Sequence, residues 1–144
     1  MPEAPINFFS EDVSYLLKNK IRLRFWLEKC AFAEKKKIGT LNYVFCSDLY
    51  LKKINKRFLD HNYFTDIITF PDSEPAKNRV GGDIFISIDR VKENSLAYNA
   101  TFSKELHRVM VHGLLHLCGY EDKTDQQQKK MRKMEDYYLQ QLDS

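Results

Sequence analysis

The chain has 144 residues, 43% of them hydrophobic and 13% aromatic, enough apolar material for one core and too little length for two ordinary domains. Its 23 Lys and Arg against 20 Asp and Glu leave a formal charge of +3, which excludes a polybasic tail and permits a nucleic-acid partner without demanding one. Cys30, Cys46 and Cys118 are odd in number and widely spaced, so neither a disulfide framework nor a zinc ribbon is expected.

The N-terminal residues are unlike a secretory leader, because Lys18, Lys20, Arg22 and Arg24 interrupt their apolar positions. No run approaches the roughly 20 apolar residues of a membrane helix. A soluble cytoplasmic protein with no membrane partner is the expectation. Ile6 to Phe9 reads as a short strand, and Ser10 as the N-cap of a helix reaching Cys30 through Val13, Leu16, Leu17 and Ile21. The Lys and Arg on the rest of that helix are read as a solvated face, with RNA contact as the alternative. Gly39 is expected to break the pattern before a strand over Leu41–Cys46. Ser47 then caps a helix whose apolar face is Leu51, Ile54 and Phe58.

Thr65–Phe70 and Asp83–Ile88 are strand-like and are separated by a polar, turn-rich segment. Val91–Tyr98 suits a short helix. Ser103 opens a longer one with the apolar stripe Leu106, Val109, Met110, Gly113, Leu114 and Leu117. After Gly119, Thr124 and Gln127 form a capping box for a last helix carrying Met131, Met134, Tyr138 and Leu142. The order β-α-β-α-β-β-α-α-α predicts an α/β (α+β) domain: a small mixed sheet of about four strands covered by helices, spanning residues 1–144.

His112 and His116 are four apart and project from one side of the same helix, close enough to bind one cation. Gly119 lets the chain fold back in a left-handed turn, which makes Asp122 the nearest third donor. Two imidazoles and a carboxylate suit zinc, and three protein ligands leave a fourth position for water, as in a catalytic site at a helix C-terminal end. Glu105 shares the side of the histidines and is read as a solvated glutamate rather than a group that holds a histidine tautomer. The spacing also fits the metzincin pattern H-E-x-x-H-x-x-G-x-x-H, but Gly113 stands where those proteases carry their catalytic glutamate, which argues against proteolysis.

His112-Gly-Leu-Leu-His-Leu-Cys-Gly-Tyr-Glu-Asp122 resembles the H-G-x-L-H-L-x-G-Y-D-H signature of the YbeY family, bacterial metal-dependent endoribonucleases also called rRNA maturation factors. Ile54-Asn55, Phe58 and Thr65–Phe70 are similar to that family's L-N-x-x-Y-R-x-x-D-x-P-T-D-V-L-S-F block, and Gly82–Ser87 to its G-D-I-x-I-S strand. The resemblance implies one Zn²⁺ per chain on His112, His116 and the residue at 122. It also implies cleavage of single-stranded RNA in ribosomal RNA 3′-end maturation and ribosome quality control, by a monomer whose partners are ribosomal RNA or the ribosome.

Two positions depart from the family. Asp122 replaces its third histidine, a carboxylate being a competent zinc ligand, and Glu121 matches its non-ligand carboxylate. Leu59 replaces an arginine suited to phosphate, and leucine cannot take that role. Lys56, one turn back, is the first substitute for substrate binding; Arg57 lies about 200° from position 59 on the helix. His61 and Arg79 can reach in from loops. Asp66 and Asp83 are expected to shape the cleft, with Asp83 accepting backbone N–H bonds, and Cys118 is expected to be a buried thiol. The alternative function is a non-catalytic RNA-binding ribosome-assembly factor with a structural metal; a metzincin-like protease ranks third.

Overall fold

The computed structural model describes residues 5–60, 65–72 and 78–143. Within them run β1 (Ile6–Ser10), α1 (Lys20–Ala33), β2 (Lys37–Cys46), α2 (Asp48–Leu59), β3 (Ile67–Pro71), β4 (Arg79–Ser87), α3 (Ile88–Ala97), α4 (Phe102–Leu117) and α5 (Asp125–Asp143). This is the element order expected from the sequence. The strands form one mixed sheet in the order β1-β2-β4-β3, with β1, β2 and β4 parallel and β3 antiparallel along β4 at the edge. No helix among the described residues is long and apolar enough to cross a membrane.

Strand alternation divides the core between the two faces of the sheet. Leu41, Tyr43, Phe45, Ile84 and Ile86 pack with α1, α4 and α5 in the main core, while Cys46, Leu51 and Ile68 form a smaller cluster under α2. Tyr43, fully buried at the centre of β2, donates its hydroxyl to the Met110 carbonyl at 2.7 Å and so ties α4 to the sheet. Gly113 brings α4 still closer, since a Cβ there would stand 2.9 Å from the terminal methyls of both Ile67 and Ile84. The residue in the protease glutamate's place is therefore a packing residue.

Several boundaries differ from the sequence reading. Residues 11–18 are not helical: Glu11 N–H extends β1 by donating to Phe45 O, the Ser10 hydroxyl donates to Tyr15 O, and Asp12 accepts from the Ser47 backbone N–H and hydroxyl. Helix α1 starts at Lys20 and buries Leu23, Trp26, Leu27, Cys30 and Ala31, leaving Ile21 exposed. Gly39 does not end a strand, because β2 absorbs it as an irregularity between Ile38 and Leu41. Thr101, not Ser103, caps α4, its hydroxyl accepting from Lys104 N–H. Ser47 caps α2 as expected, and the Thr124–Gln127 box forms in full, with side chain to backbone bonds of 3.1 Å in both directions.

Candidate metal centre

His112 and His116 occupy the last two turns of α4, which the packing of Leu106, Met110, Gly113 and Leu114 fixes in rotation against the sheet. The chain then turns through Gly119 at φ +110° and brings Asp122 back over the helix end. Asp122 Oδ2 lies 3.4 Å from His112 Nε2 and 3.4 Å from His116 Nε2. One donor atom from each of the three residues lies within 4.8 Å of the others, as a single metal ion requires. These are the residues the spacing selects, at the C-terminal end of a helix.

The partners of the outward nitrogens leave the inward ones able to act as ligands. His116 Nδ1 stands 2.9 Å from the Tyr120 carbonyl, which can only accept, so Nδ1 carries the hydrogen and Nε2 presents its lone pair. His112 Nδ1 stands 2.6 Å from Glu135 Oε2 on α5 with the same result. Glu135 is buried and is itself held by Arg108 Nη1 at 3.1 Å; Arg108 Nη2 also reaches Asp136 at 2.8 Å. Tyr120 is anchored in turn by its hydroxyl, which donates to Glu34 at the end of α1 at 2.6 Å. Both imidazoles are thus set by groups outside α4, and the donor set fits a borderline-soft divalent metal.

Burial pulls the His112 imidazole pKa down, but the hydrogen bond and charge of Glu135, with Asp122 and Asp66, outweigh it and leave the group raised. The site attracts positive charge. Asp66 and Glu105 line the same cleft, and burial raises both of their pKa values against the opposing pull of His112 and Arg108 respectively. Glu105 is buried, contrary to the solvated reading, on a helix against which both α3 and α5 pack.

The remaining expectations divide. Asp66 lines the cleft, whereas Asp83 lies in mid-strand on the opposite face of the sheet, exposed, and accepts from the Asn42 side chain at 3.0 Å instead of from backbone. Lys56 and Arg57 are on the last turn of α2, Arg57 lying over the Phe58 ring, and neither lines the cleft. Both are exposed. Arg79 starts β4 beside Lys37, away from the cleft, and His61 lies outside the described residues. Cys118 is half-buried. The cations that do line the cleft are Arg108, Lys129 and Arg132. Sequence reasoning misses Glu135; its signal is a carboxylate inside the apolar stripe of α5, four residues after Met131 and three before Tyr138.

A protein-family model described as Endoribonuclease YbeY matches residues 10–143. The chain belongs to the YbeY family. Endoribonuclease YbeY of Cytophaga hutchinsonii is 54% identical over 139 residues, covering 96% of each chain. The YbeY of Christiangramia forsetii is 44% identical, covering 94% of this chain and 93% of its own. The solution structure of TM1509 from Thermotoga maritima is similar with a TM-score of 0.61 at 29% identity, covering 95% of this chain and 88% of that one. As a YbeY family member, the chain places its signature segment on the helix end and return loop just described.

Proposed function

We propose that this protein is a zinc-dependent endoribonuclease that hydrolyses single-stranded RNA in ribosomal RNA 3′-end maturation and ribosome quality control, acting as a cytoplasmic monomer. The observation that carries the reading is the convergence of His112 Nε2, His116 Nε2 and Asp122 Oδ2, with both Nδ1 atoms engaged elsewhere. The activity that the family's name, Endoribonuclease YbeY, states supports RNA as the substrate class.

His112, His116 and Asp122 are the residues that would hold the ion. A divalent metal bound there supplies a Lewis acid for phosphoryl chemistry and an activator of water. Glu135 and the Tyr120 carbonyl hold the imidazoles in the ligating tautomer, so little reorganisation is needed when the ion arrives. Asp122 brings the one formal negative charge of the ligand set. Lys129 and Arg132 line the α5 side of the cleft, which supports a phosphate-meeting role for them, whereas Lys56 and Arg57 are not among the cleft-lining residues.

Metal analysis of the purified protein together with a single-stranded RNA cleavage assay tests the reading. We expect one zinc per chain and zinc-dependent cleavage that His112→Ala abolishes. RNA binding without cleavage at saturating zinc would instead support a non-catalytic assembly factor, and metal retained in His116→Ala would remove the assigned ligands.

A further inference from the structure

Between Lys18 and Lys37 eight Lys and Arg stand against two Glu, a net +6, while the whole chain carries +3; the other residues therefore sum to −3. The stretch that holds α1 and the turn after it thus carries twice the net positive charge of the whole chain. The metal cleft shows the opposite balance, with five carboxylates against three Lys or Arg along its lining. A polyanion drawn to the cleft needs positive surface outside it.

Helix α1 also exposes an apolar strip that its own core does not use. Ile21 (83% exposed), Phe25 (66%) and Phe32 (82%) fall at i, i+4 and i+11, on the side away from Leu23, Trp26 and Leu27. Lys29 lies 5.9 Å over the Phe25 ring. At the C-terminal end of the helix, Phe32, Ala33 and Ile38 floor a groove whose charged lining is Lys35, Lys36 and Lys37 against one carboxylate, Glu28. Aromatic faces interleaved with ammonium groups are what single-stranded nucleic acid uses, bases stacking on the rings and phosphates meeting the cations.

The groove is connected to the metal loop. Glu34, the residue just before Lys35, accepts from the Tyr120 hydroxyl, and Lys130 lies 5.5 Å over the Tyr120 ring. Cations therefore run from Lys37 past Tyr120 towards Asp122, two residues on. We propose that the outward face of α1 and the groove at its end bind single-stranded RNA as a contact surface separate from the metal cleft and leading into it. This inference rests on the reading that the protein acts on RNA.

The test is fluorescence anisotropy of the zinc-loaded protein with a labelled, cleavage-resistant 2′-O-methyl single strand of about 30 nucleotides across a salt series. For Lys35→Gln/Lys37→Gln we expect the slope of log affinity against log salt to become shallower by about 1.4, and affinity to fall about tenfold at moderate salt. Phe32→Leu loses about tenfold through stacking, whereas Phe32→Tyr and Lys35→Arg/Lys37→Arg bind as wild type. On cleavable RNA, KM rises for the about 30-nucleotide strand, while kcat on a dinucleotide, which offers the metal cleft a single phosphate and carries no chain onward to α1, is unchanged. Unaltered slope and affinity in both loss variants overturn the proposal. So does self-association of wild type that Phe32→Leu abolishes with RNA binding unmoved, which would assign the strip to a second copy. A wild type that cleaves neither strand but keeps the lysine-dependent slope removes the endoribonuclease reading and leaves this surface standing.

Discussion

Glu135→Gln separates what the buried carboxylate does from the space it fills. Its two oxygens face two donors, His112 Nδ1 at 2.6 Å and Arg108 Nη1 at 3.1 Å, and its side chain is only 6% exposed. An amide has one acceptor and one donor, so whichever way the substituted side chain turns, an N–H group confronts either the imidazole N–H or the guanidinium. At an effective dielectric of 20 the Arg108–Glu135 attraction is about 5 kcal/mol before solvation is counted. Asp136 still holds Arg108 at 2.8 Å, which limits the net loss to the range of one charge-assisted hydrogen bond, about 2 kcal/mol. For a domain of 144 residues that is roughly 8 °C in Tm. Metal affinity should fall about 10- to 100-fold, because the ligating tautomer of His112 is no longer enforced. Urea unfolding in chelator measures the first effect, and calorimetric zinc titration against a competing chelator measures the second. Zinc affinity within about twofold of wild type would refute the claim that Glu135 sets the His112 ligand.

Three further outcomes follow from the packing and the charges. Gly113→Ala places a Cβ 2.9 Å from Ile67 Cδ1 and Ile84 Cδ1, and should lose about 1–3 kcal/mol in urea unfolding unless the helix shifts freely off the sheet. Burial raises the Glu105 pKa above its unfolded value, so the native state holds that proton more tightly and its contribution to stability falls as pH rises through the window between the two values; Glu105→Gln should melt above wild type at pH 7, with the gap closing below the unfolded carboxyl pKa of about 4.3. A Tm gap that widens on acidification would contradict this sign. Burial pushes the Cys30 and Cys46 thiols to about 12 and Cys118 to about 11, so a disulfide reagent at pH 8 should find no fast-reacting thiol in the native protein and three after unfolding, and a fast native thiol would refute it.

The parts of the fold legible in the sequence are those with one dominant local cause. The stripe from Leu106 to Leu117 admits a single buried face, and the histidine spacing on that helix, with Gly119 behind it, points to the three residues whose donor atoms converge. Helix α1 is harder to read at its start because apolar residues lie on both of its sides: Leu23, Trp26 and Leu27 face the core, while Ile21, Phe25 and Phe32 do not. Periodicity alone cannot rank two apolar faces. Ser10 looks like a cap, yet Glu11 N–H pairs with Phe45 O, a partner 34 positions along the chain that no local pattern encodes. The same non-locality hides the support of the metal centre. Glu135 is separated by 23 residues from His112, and a charged residue on a terminal helix ordinarily faces water.

The support network also bears on the loss of an arginine at position 59. Arg108 is the most buried cation of the cleft side, but it spans Glu135 and Asp136, and releasing it to a phosphate would uncouple Glu135 from the His112 imidazole. Arg132 stands 5.9 Å over the Tyr98 ring. With Arg108 cancelling Glu135, the ligand trio contributes a single negative charge through Asp122, and a bound dication would leave that local centre at a net +1. Asp66, Glu105 and Asp125 surround it with further carboxylates. Attraction of an RNA backbone on the scale of several phosphate contacts therefore needs cations outside the cleft, and the stretch from Lys18 to Lys37 carries a surplus of +6, with Arg22 and Arg24 turned back to the Leu142 and Ile6 carbonyls and the other six cations left to the surface.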